Sequence, residues 1–385
     1  KDKMKKRIQV SIAFITLLSC IALVRAADSE PKYLDQNQPM SVRVRDLLDR
    51  MSLKEKLGQL NIPCVYKKEL DVDFTEIDSK KLSFEEGTDE KRDHDLSVRR
   101  EGCRRFIMGN HPNFSGLGPG GGLFGFGNNV LPYKPKKLVS FYNEMQNIAK
   151  ERTRLGMPLL QIAEGTHGFM CSYATIFPEG PALGSTWNRD LIYKVYQTIA
   201  REARSVGVHA LCTLVIEPNI DPRLGRNAEA YSEDPFICSE YARAIVDGIQ
   251  GTNISAPDKA ISVLCHFPGQ SQGFAGLEFN AMEMSERSFR NVFLPPWEAG
   301  IKQSGAWMVM ATHPSFDIFG GVPAHASKEI LNGLLRDELN FQGTVLGEGN
   351  SVRTILWKKV AENQKHAGQL ALNAGLDVSI CLESG

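Results

Sequence analysis

Short apolar segments rich in branched side chains recur between amphipathic helical stretches from Lys137 onward, and this alternation narrows the possible folds more than any other property of the sequence. The strand-like pieces are Leu159 to Ile162, Ala210 to Ile216, Ile261 to Leu264, Met308 to Met310, Thr344 to Leu346 and Val378 to Ile380. Continuous apolar runs of this kind suit parallel strands that are covered by helices on both faces. Between them, Asn188 opens a helix with Leu191, Val195, Ile199 and Ala203 on one face and Gly207 as its stop. An earlier helix carries Leu138, Phe141, Met145 and Ile148 and ends near Gly156. The alternation shows no break into two halves, which favours an α/β (β/α)8 barrel of TIM type over an open doubly wound sheet. No repeat at a period of about 20–50 residues is visible, which argues against a solenoid or propeller.

Charge removes one class of partner. The 385 residues contain 45 basic and 45 acidic side chains, so there is no surplus of cations to neutralise a phosphate backbone, and nucleic acid is not expected as a partner. The eight cysteines include no CxxC pair, so neither a zinc ribbon nor a disulfide framework is indicated.

The N-terminal region divides into three parts. Residues 1–27 read as a secretory signal: basic Lys5, Lys6 and Arg7, an apolar run from Ile8 to Val24, and small residues at Ala26 and Ala27. This predicts a secreted or periplasmic protein, with lipid anchoring through Cys20 as a minor alternative. Ser41 to Leu60 is expected to be helical, with a capping box at Ser52 and Glu55 that starts a second short helix. Lys67 to Arg105 is dense in charges of both signs and is expected to be a solvated insertion in a single barrel domain spanning residues 28–385.

In a barrel of this type chemistry gathers at the C-terminal ends of the strands. There the sequence places Glu164 and His167, then Glu217 to Asn227 with Asp221 and Arg226, then Cys265 and His266, then His313, and finally Glu348 between two glycines. Carboxylates and imidazoles can hydrogen-bond a polyol, and the flanking glycines would let Glu348 approach a ligand closely. Asp221, Arg226, Glu229, Glu233 and Asp234 also suit a salt-bridge network that braces a long loop. Gly116 to Gly121 matches G-x-G-x-x-G only formally, because no strand precedes it and Pro119 interrupts it; it reads as a tight loop. There is no H-E-x-x-H and no G-x-S-x-G, so a metal site would rest on His167, His266 and His313 alone, and no metal or cofactor is expected.

Several motifs in order resemble the N-terminal barrel of glycoside hydrolase family 3, the β-glucosidase and β-xylosidase family. They are Met51-Ser52-Leu53-Lys54-Glu55-Lys56-Leu57-Gly58-Gln59, Glu164 to Gly168, Phe177-Pro178, Thr186-Trp187-Asn188, Asp221 to Glu229 with Glu233-Asp234-Pro235, Gly321 to His325, and Asn373 to Val378. The resemblance implies a retaining exo-acting β-glycosidase acting on the terminal glucose or xylose of a β-linked oligosaccharide or aryl glycoside. By position, Glu348 matches the nucleophile. Glu164, His167, Arg226, Cys265, His266 and His313 match the sugar-binding surround.

The sequence also departs from the family pattern. Glu348 stands where Asp is usual, Cys265 where Lys is usual, and His313 where an aromatic hydroxyl is usual; these changes motivate a competing reading as a sugar-binding barrel without turnover. In many members the general acid/base comes from an α/β sandwich domain after the barrel. The chain reaches only Gly385, so a barrel truncated before such a partner domain in cis is expected. A second branch carries a catalytic His on a barrel loop, but Gln270 occupies the corresponding place here.

Overall fold

The computed structural model describes residues 30–65, 70, 100–125, 135–171 and 173–380. The leader-like residues 1–27 lie outside these, as does most of the charged stretch 67–105. Two compact units are distinguished, residues 1–57 and residues 58–385.

In the first unit, α1 (Met40–Arg50) ends at an extended Met51. The expected capping box follows: Ser52 N–H donates to Glu55 Oε2 at 2.8 Å, and Glu55 N–H donates to Ser52 Oγ at 3.3 Å. This starts α2 (Leu53–Gln59).

The second unit contains eight strands: β1 (Asn61–Ile62), β2 (Gly122–Phe124), β3 (Leu160–Glu164), β4 (Ala210–Val215), β5 (Ile261–Phe267), β6 (Met308–Ala311), β7 (Thr344–Gly347) and β8 (Val378–Ile380). All pair in parallel, each with its successor from β2 to β8, and β8 then pairs with β1. A parallel bridge between Cys64 and Phe124 joins the remaining edges. Phe124 N–H donates to Pro63 O and Val65 N–H to Phe124 O, both at 3.1 Å, which completes the expected (β/α)8 barrel.

The crossovers carry a helix at 100–107 (α3), α4 (Pro135–Arg152), α5 (Arg189–Ser205), α6 (Pro235–Gln250), a helical run over 286–303 (α7), α8 (Glu329–Glu338), α9 (Ser351–Trp357) and α10 (Gln364–Ala374). Asn188 caps α5 as expected, its Oδ1 accepting from Leu191 N–H at 3.0 Å. Within α7, Pro295 and Pro296 remove two amide donors, and the ladder widens to i→i+5 bonding on either side.

Strand periodicity divides the core in two. Val263, Cys265, Met308, Met310, Cys212 and Leu346 fill the barrel interior together with Ile62 and Ile162. Their neighbours Leu264, Val309 and Val345 face the helices, where Ile199, Ile245, Trp297 and Leu335 pack. In α3, Cys103 is buried together with Phe106 and Ile107 just beyond the charged stretch, while Arg104 and Arg105 stay partly exposed. The i, i+3, i+4 spacing of these three residues puts them on one face of the helix. Cys64 is disulfide-bonded, a cross-link not legible from the scattered cysteine spacing. Among the described residues no helix is long and apolar enough to cross a membrane.

Candidate active site

Glu348 follows β7 directly, and the local backbone is built to leave it there. A Cβ on Gly347 would stand 2.3 Å from Ser351 Oγ and 2.8 Å from Ser351 Cβ, so glycine is required where β7 turns toward α9. Asn350 completes the turn in the left-handed region at φ 65°, which Asn tolerates better than most residues.

Three loops and strand β5 converge on the Glu348 carboxyl. Arg226, after β4, brings Nη1 to 3.5 Å from Oε1. His266, within β5, brings Nε2 to 3.4 Å from Oε1, and His313, after β6, brings Nε2 to 3.4 Å from Oε2. Glu278, on the loop after β5, shares Arg226 Nη1 with Glu348. Burial, and then the negative charge of Glu278, push the Glu348 carboxyl well above the usual range, with Arg226 opposing.

Arg226 is the cation that organises this mouth. It forks onto Glu229, with Nε 2.5 Å from Oε1 and Nη2 2.7 Å from Oε2, and its Nη1 also contacts Glu278 Oε1. A planar guanidinium can hold several carboxylates at once, which an ammonium cannot do with the same geometry. Glu164, at the half-buried end of β3, lies near Glu229 and Arg226; desolvation first, then Glu229, raise its carboxyl to about 7.

The imidazoles are held in definite protonation states. Gln270 Nε2 donates to Glu278 Oε1 at 2.7 Å, which turns Gln270 Oε1 toward His266 Nδ1. The Nδ1 therefore carries the proton. Burial and Arg226 keep His266 neutral, its pKa well below the ordinary value, so Nε2 presents a lone pair to Glu348. His313 stacks on Phe279 with centroids 4.4 Å apart, and burial followed by neighbouring His325 lowers it to about 2. His325 is anchored separately, its Nε2 2.9 Å from Ala311 O.

The sequence-predicted residues therefore separate. Glu348, Arg226, His266 and His313 form one cluster. Glu164 and Cys265 lie close enough to share its field, and Cys265 contacts the thiol of Cys212 in the barrel interior. His167 instead places Nδ1 2.8 Å from Phe177 O and braces its own loop. Asp221 pairs with Arg223 at 2.7 Å, the bracing role expected of it.

Glu278 carries no sequence signal, since it lies in a loop without a motif. Glu217 was visible at a strand end but had no assigned role. It is buried, with Oε1 accepting from Gly269 N–H at 2.5 Å and from Trp297 Nε1–H at 2.8 Å, and so ties the loop after β5 to α7. Taken together, the mouth offers a buried carboxyl, neighbouring carboxyls, and donors and acceptors suited to hydroxyl groups.

Comparison with known proteins agrees with the barrel fold. Residues 110–385 match the family model described as glycosyl hydrolase family 3 N terminal domain. A β-xylosidase of Formosa agariphila is 36% identical over 252 residues, covering 62% of this chain and 34% of that protein. A periplasmic β-glucosidase of Salmonella typhimurium is 28% identical over 241 residues, covering 62% of this chain and 30% of that protein. Among solved structures, a β-glucosidase from Listeria innocua in complex with glucose superposes with a TM-score of 0.71 at 27% identity, covering 89% of this chain and 42% of that one. A β-glucosidase from Erythrobacter marinus gives 0.73 at 28% identity, covering 92% and 42%. The chain spans roughly a third of the length of the curated relatives it matches.

Proposed function

Because the chain belongs to glycosyl hydrolase family 3, we propose that it is a retaining, exo-acting β-glycosidase that removes a terminal glucose or xylose from the non-reducing end of a β-linked oligosaccharide or aryl glycoside. The observation that carries this reading is Glu348, a buried carboxyl at the end of β7 with Arg226, His266 and His313 around it. In such a reaction the ionised Glu348 attacks the anomeric carbon, the aglycone leaves with a proton, and water then releases the sugar with net retention. Arg226, Glu164 and His266 supply hydroxyl contacts, and the chemistry requires no cofactor. The leader-like residues 1–27 extend the proposal to an exported protein, which N-terminal sequencing of the protein recovered outside the cytoplasm would check.

The test is mass mapping after incubation with dinitrophenyl 2-deoxy-2-fluoro-β-glucoside and the matching xyloside. A single sugar adduct on the peptide containing Glu348 is expected, and the faster reagent assigns the sugar. A folded protein that binds glucose or xylose but takes no label would favour the binding-only reading, in which Glu348 keeps its proton and no longer attacks.

A further inference from the structure

The end of the barrel opposite Glu348 carries a groove that the proposed reaction does not use. It lies between the loop that joins α7 to β6 and the loop that joins α8 to β7, and its volume of about 370 Å³ falls in the size range of small-ligand sites. Trp307, Asn340 and Gln342 bring exposed side chains to it, and buried Ile301 and Phe341 complete its apolar lining.

Trp307 is 51% exposed, yet its backbone is held on both sides. Its N–H donates to Gln250 Oε1 at 3.1 Å, and its carbonyl accepts from Thr344 N–H at 3.0 Å. Buried Gln250 also donates from Nε2 to Gly305 O at 3.0 Å, so one amide side chain fixes the whole turn that presents the indole. On the facing loop, Asn340 stands in the left-handed region at φ 55°, and its Oδ1 accepts from Gln342 Nε2 at 3.1 Å. Where the loops meet, a Cβ on Gly343 would stand 2.1 Å from Trp307 O and 2.7 Å from Phe341 Cζ, so glycine is required. An anchored aromatic ring beside two paired amides loses little freedom when a ligand arrives.

The lining selects the occupant. None of the residues that line the groove is ionisable, so it has nothing with which to pair a phosphate or a charged peptide. The face of an indole attracts the C–H groups on the face of a pyranose ring, while amides both donate to and accept from the hydroxyls at its edge. Sugars whose hydroxyls all stand equatorial, as in β-linked glucose and xylose, present such an apolar face. We propose that this groove is a second carbohydrate-binding site that takes a segment of a β-linked glucan or xylan chain; the choice of sugar rests on the β-glycosidase reading. Trp307 directly precedes β6 and Gln342 lies two residues before β7, whereas Glu348 follows β7, so the two sites occupy opposite ends of the barrel. The groove takes no part in bond cleavage. It holds the protein on a polymer and so raises the local concentration of chain ends that the mouth can reach.

The experiment compares the full chain with Trp307→Ala, Trp307→Phe and Gln342→Ala in adsorption to insoluble cellulose and xylan, and in turnover of a dinitrophenyl β-glucoside and β-xyloside. Thermal unfolding and light scattering follow folding and oligomeric state. Trp307→Ala should weaken adsorption to the preferred polymer by about 10-fold, the worth of one stacked aromatic contact, with kcat/KM on the small substrates and Tm unchanged. Trp307→Phe should keep most of the adsorption, and Gln342→Ala should lose less than Trp307→Ala. In wild type, soluble cellohexaose or xylohexaose should protect Trp307 from oxidation by N-bromosuccinimide, read by mass on its peptide. That last measurement needs no variant to fold.

Equal adsorption of wild type and Trp307→Ala, or no adsorption of wild type to either polymer, would overturn the proposal. So would oxidation of Trp307 at the same rate with and without the hexasaccharides. A smaller oligomer in Trp307→Ala would overturn it too, since a second copy of the chain would then be the occupant. Turnover and adsorption separate the two levels. Adsorption that depends on Trp307, without turnover of either glycoside, refutes the glycosidase and leaves the groove; turnover with adsorption that ignores Trp307 refutes the groove alone.

Discussion

Thr354 Oγ1 lies 3.0 Å from His313 Nδ1 and 3.1 Å from Asn350 O, and a hydroxyl has only one proton to give to the two of them. When Thr354 donates to His313, Nε2 carries the imidazole proton and points it at Glu348 Oε2, which favours the carboxylate. When Thr354 donates to Asn350, Nδ1 carries the proton and Nε2 becomes an acceptor for a protonated Glu348. Thr354→Val removes this choice and should slow labelling of Glu348 by the fluorosugar by about 10-fold, the worth of one hydrogen bond to a charged group. Thr354→Ser should retain most of the rate. Equal rates in all three proteins would remove His313 as a support for the nucleophile.

Arg226→Lys keeps the charge but not the fork. A lysine cannot span Glu229 while reaching Glu278 and Glu348, so kcat/KM should fall by about 10²-fold. Steady-state kinetics on the aryl glycoside decide this, with circular dichroism to show that the variant is folded. A value near wild type would mean that charge alone organises the mouth.

Glu217 makes stability depend on pH in an uncommon direction. Burial raises its carboxyl to about 7, while hydrogen bonds from Gly269, Trp297 and Ser271 act against that shift. The folded state therefore holds a proton that the unfolded chain releases at lower pH. Stability from this group is full below the ordinary carboxyl value near 4.5 and is lost progressively as pH rises from there through about 7, with on the order of 2 kcal/mol of that loss falling between pH 5 and pH 8. Glu217→Gln keeps an acceptor oxygen for Gly269 and Trp297 but cannot ionise. Its melting temperature relative to wild type should rise between pH 5 and pH 8; a difference that stays flat or falls would contradict the assignment.

Asp234 Oδ1 accepts from Phe236 N–H at 2.7 Å and from Ile237 N–H at 3.2 Å, capping α6. Asp234→Ala should cost about 1 kcal/mol, and Asp234→Asn much less. Urea denaturation of the three proteins would check the ranking, and a destabilised Asn variant would point to charge in place of capping.

The barrel was legible where strands were long enough to show a composition. β3 to β8 each contain several branched or apolar residues, and their polar followers located the mouth. β1 and β2 escaped because Asn61–Ile62 and Gly122–Phe124 are too short to carry a pattern, and β2 lies directly after the glycine-rich loop. Glu348, Arg226, His266 and His313 were recognisable from position at strand ends. Glu278 was not, since its role depends on a loop folding back to Arg226, a contact between residues far apart in the chain. His167 is a strand-end imidazole whose Nδ1 hydrogen bond serves the local turn, a contact that position alone does not disclose.

The seam of the barrel bears on how the chain is made. β1 is held to β8 by only two residue pairs, Asn61 with Ser379 and Ile62 with Ile380, and to β2 by the Cys64–Phe124 bridge. During translation the first strand thus leaves the ribosome long before its main partner exists. Until residues 378–380 appear, the growing sheet keeps two open hydrogen-bonding edges that could pair with other chains. Nascent chains stalled before β8 should therefore aggregate or engage chaperones, whereas release of the last strand lets the seam close in one late step.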